Sequence, residues 1–168
     1  GAPVGLIQYL GLSPVEFGIA MAVPIVFYMV AQIAVARVAH IIGVDRLIRI
    51  GVVLATIAGI GMLSFVLSGN ISVYTLMGPV VLVLTSLAFI IPGTTAGAMS
   101  PFAQMAGAAS SMLGFIQFLA AAVTTALIGV LNDGTPLPMA VAVFVCTLGA
   151  AISYLVLIRP LNRSAAAA

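Results

Sequence analysis

The chain has 168 residues, 64% of them hydrophobic and only 5% charged, with a net charge of +2. A water-facing surface needs about 25% charged residues, so five arginines and three acids exclude a water-soluble globule. Arginines this sparse form no basic stripe, which excludes nucleic acid as a partner.

The expected class is an all-α membrane protein, a polytopic helical bundle in a lipid bilayer. Residues 17–36, 50–132 and 134–158 carry no charge, in runs of 20, 83 and 25. A spanning helix takes roughly 20 apolar residues. The two shorter runs therefore hold one span each, and the long one holds three, divided at Ser68-Gly69-Asn70 and at Gly97-Ala98-Met99-Ser100-Pro101. The spans predicted are 15–37, 47–68, 72–96, 104–131 and 138–159, making a single transmembrane domain over 1–168.

In chain order, residues 1–12 are apolar but too short to cross a bilayer, and they read as the end of a truncated preceding span. The first full span holds Pro24, a mild kink, and Gln32. Gly43, Asp45, Arg46 and Arg49 follow, with Arg37 and His40 just before them. That turn either locks a helix pair through salt bridges or only holds the loop on one side of the membrane.

The third span carries Pro79, Thr85, Ser86, Pro92 and Gly93. Proline cannot donate to the helical ladder, so Pro79, Pro92 and Gly93 mark a hinge or helix break of the kind carriers use, or a static kink. The fourth span opens on Gly107, Ser110 and Gly114, small residues that let membrane helices approach closely. Gln117 lies one turn further on. An amide in hydrocarbon needs partners, so Gln32 and Gln117 face the bundle interior or a wet cavity, either as hydrogen-bond glue or as substrate ligands. Thr85 joins them as a cavity candidate. Cys146 is alone in an apolar span, a small hydrophobe with no disulfide or metal partner.

Five spans alternate sides, which places the 38–46 loop and the C-terminus on one face with all five arginines. The positive-inside rule makes that face cytoplasmic, in a multi-pass protein of the inner or plasma membrane. No phosphate loop, metal cluster or paired carboxylates are present, so neither catalysis nor a cofactor is expected.

Several segments together resemble the C-terminal half of major facilitator superfamily transporters, most closely the bicyclomycin-resistance (Bcr/CflA-type) drug–proton antiporters. They are Tyr9-Leu10-Gly11-Leu12-Ser13-Pro14 before Phe17-Gly18, and Ile91-Pro92-Gly93-Thr94-Thr95-Ala96. Next come Ala106-Gly107-Ala108-Ala109-Ser110 with Leu113-Gly114 and Gln117, then Asp133-Gly134-Thr135-Pro136-Leu137-Pro138-Met139. The resemblance implies that the five spans are the last five helices of a six-helix half. It implies a missing N-terminal half as partner, and multidrug or metabolite efflux coupled to protons, with a small-molecule substrate. The Gly43–Arg46 turn is similar to the degenerate second copy of that superfamily's cytoplasmic loop motif. Gly93 stands where related carriers have Asn. The competing function is a non-transporting membrane interaction or assembly module, which includes a truncated carrier without activity.

Overall fold

A computed structural model of the chain describes residues 14–69, 73–131 and 135–158. The expected remnant at 1–12, Asp133, Arg159 and Arg163 lie outside the described residues. Five α-helices follow one another: α1 Pro14–Ile42, α2 Val44–Leu67, α3 Val73–Met99, α4 Ala106–Val130 and α5 Leu137–Ser153. A 3-10 segment, Ser100–Met105, joins α3 to α4, and one π turn, Tyr154–Ile158, prolongs α5. The described residues contain no strand. The chain is an all-α membrane bundle.

Four helical stretches are long and apolar enough to cross a bilayer: Ala22–Ile42, Val44–Leu67, Met77–Val130 and Leu137–Val156. The third has 54 residues, which as one straight helix would measure about 80 Å against a hydrocarbon core of about 30 Å. It takes in most of α3 and all of α4, and it is broken between them. Phe102 (φ −110°, ψ 27°) and Met105 (φ −125°, ψ 34°) leave helical geometry, next to Pro101.

Local chemistry sets the other helix ends. Gly43 has φ +85° and ψ 145°, a backbone that residues with a Cβ rarely adopt. One residue therefore reverses the chain between α1 and α2. Helix continues through 38–42, so Arg37 and His40 are helical. His40 sits in the last turn of α1 and Asp45 in the first turn of α2, each placed to suit the helix dipole. α2 ends on Gly69, at φ +70°, whose N–H donates to the Val66 carbonyl at 3.2 Å. That is a left-handed glycine cap. Pro136 precedes α5, and its carbonyl accepts from the Ala140 N–H at 3.1 Å.

α3 stays helical through both of its prolines, which each remove one ladder hydrogen bond. Pro79 is buried. Beyond Pro92 the Thr94 hydroxyl donates to the carbonyls of Ile90 at 2.8 Å and Ile91 at 3.2 Å.

The core is built around α2. One of its faces packs on α3 and another on α5, while α1 packs mainly on α3. Buried on α2 are Leu47, Ile48, Gly51, Val52, Ala55, Ala58, Gly59, Met62 and Val66. Met62 and Val66 meet Ala140 of α5, with Leu63, Met139 and Val143 around them. A Cβ at Gly51 would lie 2.9 Å from the Ser86 carbonyl oxygen and 2.7 Å from Ile90 Cγ1 on α3. A Cβ at Gly59 would run into the Thr147 hydroxyl and lie 3.4 Å from the Phe144 Cα on α5. The backbones touch there because no side chain intervenes. α4 has no buried residue, and its contacts with α3 and α5 are slight. Large apolar side chains such as Phe115, Phe118 and Val130 are exposed on it, which a hydrocarbon solvent accepts.

Gly51→Val should lower the stability of the bundle by about 1–3 kcal/mol, the range for overpacking a close contact. Gly61 has nothing within 4 Å of its would-be Cβ, so Gly61→Ala should change stability by under about 1 kcal/mol. Unfolding of the purified chain in rising dodecyl sulfate, followed by circular dichroism, checks both. Equal midpoints for the two variants would deny α2 its central place.

Candidate functional site

The polar residues singled out from sequence sit on four different helices. On α1, Gln32 is half-buried and its Nε2 donates to the Tyr28 hydroxyl at 2.7 Å. The two are one turn apart, so the amide is partly satisfied within its own helix. On α3, Thr85 is half-buried beside the fully buried Ser86. The Ser86 hydroxyl donates to the Val83 carbonyl at 2.6 Å. On α4, Gln117 is exposed. α1 and α4 share at most marginal contact, so the described chain does not bring Gln32 and Gln117 to one enclosed site.

Pro92 is exposed and Gly93 is half-buried. A Cβ at Gly93 would lie 2.6 Å from Val44 Cγ1 and 3.2 Å from Ile48 Cδ1. Gly93 thus admits the start of α2 against α3. Gly43 is the reversal between α1 and α2, and Asp45 and Arg46, both exposed, follow in the first turn of α2.

Gly107, Ser110 and Gly114 lie on α4, where a Cβ at either glycine would meet nothing within 4 Å. The Ser110 and Ser111 hydroxyls both donate to the Gly107 carbonyl, at 3.0 and 2.5 Å. Gly107, Ser110, Ser111 and Gln117 are all exposed, leaving a polar, small-residue stretch on the helix that the chain covers least.

Hydroxyls elsewhere behave in the same way. Those of Thr56, Ser64, Thr124 and Thr147 donate to carbonyls three or four residues earlier in their own helices. Such back-bonding satisfies the hydroxyl without a partner helix. Cohesion between these helices therefore rests on packing.

Two features escaped sequence reasoning. One is the Gly51–Ala55–Gly59 spacing, small residues four apart on α2 and the same signal that drew attention to α4. The other is a cleft of about 470 Å³ lined by Arg49, Val52, Val53, Thr56 and Ile57 of α2 with Ala151, Tyr154 and Leu155. No local pattern announces the cleft, because its walls are about a hundred residues apart in the chain.

The fold and its apolar surface define a multi-pass membrane protein. The chain is 27% identical over 146 residues to a Bacillus subtilis (strain 168) protein described as an uncharacterized MFS-type transporter, YdgK. That likeness takes in 86% of the chain but 36% of the relative, so the chain spans about a third of the length of the curated relative it matches. No family model and no solved structure matches it. The likeness is thus to part of an MFS-type transporter.

Tyr28→Phe removes the acceptor of the Gln32 amide. It should reduce thermal stability in detergent by about 0.5–1.5 kcal/mol, as expected for one hydrogen bond. Gln32→Leu with Tyr28→Phe should lose less than the sum of the single changes. Strict additivity in that cycle would show that the pair does not interact.

Proposed function

We propose that the chain is the C-terminal part of a secondary carrier of the major facilitator superfamily. It would form one wall of a central cavity that opens alternately to the two sides of the membrane. The observation that carries this reading is the likeness to the MFS-type transporter along 86% of the chain, in a bundle whose helices suit a membrane. The cargo is a drug or small metabolite, and export is driven by protons moving inward. Gln32, Thr85 and Gln117 contribute hydrogen-bonding groups to the cavity, while Pro79, Pro92 and Gly93 give α3 the compliance that alternation requires. Two features support this assignment. Gln117 and its small-residue neighbours are left open by the rest of the chain, as a surface meeting a second helical half would be. α3 also carries two prolines inside one membrane helix.

In this reading α4 and its neighbours complete the cavity only with the other half of the carrier. Purified residues 1–168 reconstituted in liposomes should therefore show no proton-driven uptake of a fluorescent amphipathic cation. Cells producing the full-length carrier should expel it, and Gln117→Ala in that protein should reduce efflux about tenfold, the effect of roughly 1.4 kcal/mol of lost interaction. Uptake by the isolated chain would overturn the two-half cavity. Absence of proton-dependent efflux from the full carrier for any of a panel of substrates would favour a non-transporting module.

The same reading places the C-terminus and the α1–α2 turn in the cytoplasm, next to Arg37, Arg46 and Arg49. Green fluorescent protein fused after residue 168 should fluoresce, and alkaline phosphatase fused there should be inactive. The opposite pair of signals would reverse the orientation.

A further inference from the structure

The cleft between α2 and the π turn that ends α5 has one cationic side chain and otherwise mostly apolar walls. Its volume of about 470 Å³ lies in the range of small-molecule sites, roughly 300–1,000 Å³. Val52, Val53, Ile57, Ala151 and Leu155 supply hydrocarbon. The Thr56 hydroxyl is engaged with the Val52 carbonyl at 2.8 Å. Arg49 and Tyr154 remain as the polar donors. Among the described residues Arg49 makes no ion pair or side-chain hydrogen bond, not even with Asp45 one turn earlier on the same helix.

Arg49 stands six residues beyond Gly43, about 9 Å into the helix at 1.5 Å per residue. Helical side chains lean toward the N-terminus, which carries a long arginine stem at this position back toward the start of α2 beside Gly43. Such a side chain lays its methylenes on apolar surface and brings its charge to the headgroup level. Arg37, His40 and Arg46 gather at that same end of the bundle. The cleft thus offers a cation at headgroup depth and an apolar trough beneath it.

We propose that this cleft is a binding site for an anionic glycerophospholipid of the leaflet at the Arg49 end. One acyl chain lies along Val52, Val53, Ile57 and Leu155. The phosphate takes the Arg49 guanidinium, and Tyr154 donates to the phosphate or the adjoining ester. The complementarity is physical on both counts. An unpaired arginine beside lipid gains a charge-assisted partner, and basic pockets between membrane helices favour anionic headgroups. The site needs no transport activity, so it stands or falls independently of the carrier reading.

Native mass spectrometry of the full chain, purified in detergent and mixed with equal phosphatidylglycerol and phosphatidylcholine, tests this. The unaltered chain should retain phosphatidylglycerol at least about fivefold over phosphatidylcholine, the factor expected of one arginine near an anionic headgroup. R49Q should bring that ratio to about one, R49K should keep most of it, and R37Q, on α1, should leave it intact. Ala151→Phe fills the trough and should lower retention of both lipids. Circular dichroism of each variant establishes that it is folded, and R49M, which also removes the charge, carries the test if R49Q does not fold. Four results would overturn the site: equal retention of the two lipids, loss of preference in R37Q as deep as in R49Q, full retention in Ala151→Phe, or displacement of the lipid by millimolar inorganic phosphate.

Discussion

The close approach of α2 to two neighbours is the constraint on which the rest of this bundle depends. Lipid tails are as apolar as leucine, so burying leucine against leucine does little to hold membrane helices together. What remains is contact at short range, and Gly51 and Gly59 provide it by leaving the backbones of α3 and α5 free to touch α2. Ala55 between them is also buried. Gly93 repeats the device from α3, admitting Val44 and Ile48. With α2 held on both sides, α1 packs mainly on α3 and only slightly on α2, and α4 is left at the margin.

Much of this was legible in the sequence. Charge spacing alone identifies a helical membrane protein, since a solvent without water forbids unpaired backbone and leaves few architectures. The order of helices and the interruption near Pro101 follow from the same reasoning. The central seam was not foreseen, because a four-residue repeat of small side chains occurs both on α2 and on α4, and spacing does not tell which one finds a neighbour. The prolines of α3 read from sequence as a hinge or a static kink; α-helix continues through both and gives way to a 3-10 segment at Ser100–Met105. Proline removes one hydrogen bond, but packing along the rest of the helix decides whether the ladder breaks there. Gln32 and Gln117 were marked as needing partners. Tyr28 is the partner of the first, a residue one turn away that periodicity alone did not single out.

Site chemistry is divided between what the chain completes and what it leaves open. The hydroxyls of Thr56, Ser86, Thr124 and Thr147 are satisfied inside their own helices, so these four do not staple the bundle. Polar groups outside these bonds include Gln117 on the least covered helix and Arg49 in the cleft beside α5. The first suits a cavity shared with a further set of helices. The second lies between α2 and α5, within the chain's own packing. In the proposed carrier, Gln117 would face cargo and Arg49 would face lipid, with different residues for each.

The one-residue reversal at Gly43 has a mechanical meaning. A single residue spans at most about 3.3–3.6 Å, so the end of α1 and the start of α2 cannot slide past each other by more than a fraction of a helical turn. Relative movement of these two helices must therefore be a swing about that corner, smallest beside Arg46 and largest at the far membrane surface. The pair works as a lever with its fulcrum at one glycine, and displacement at the distant end is set by helix length rather than by slack in a loop.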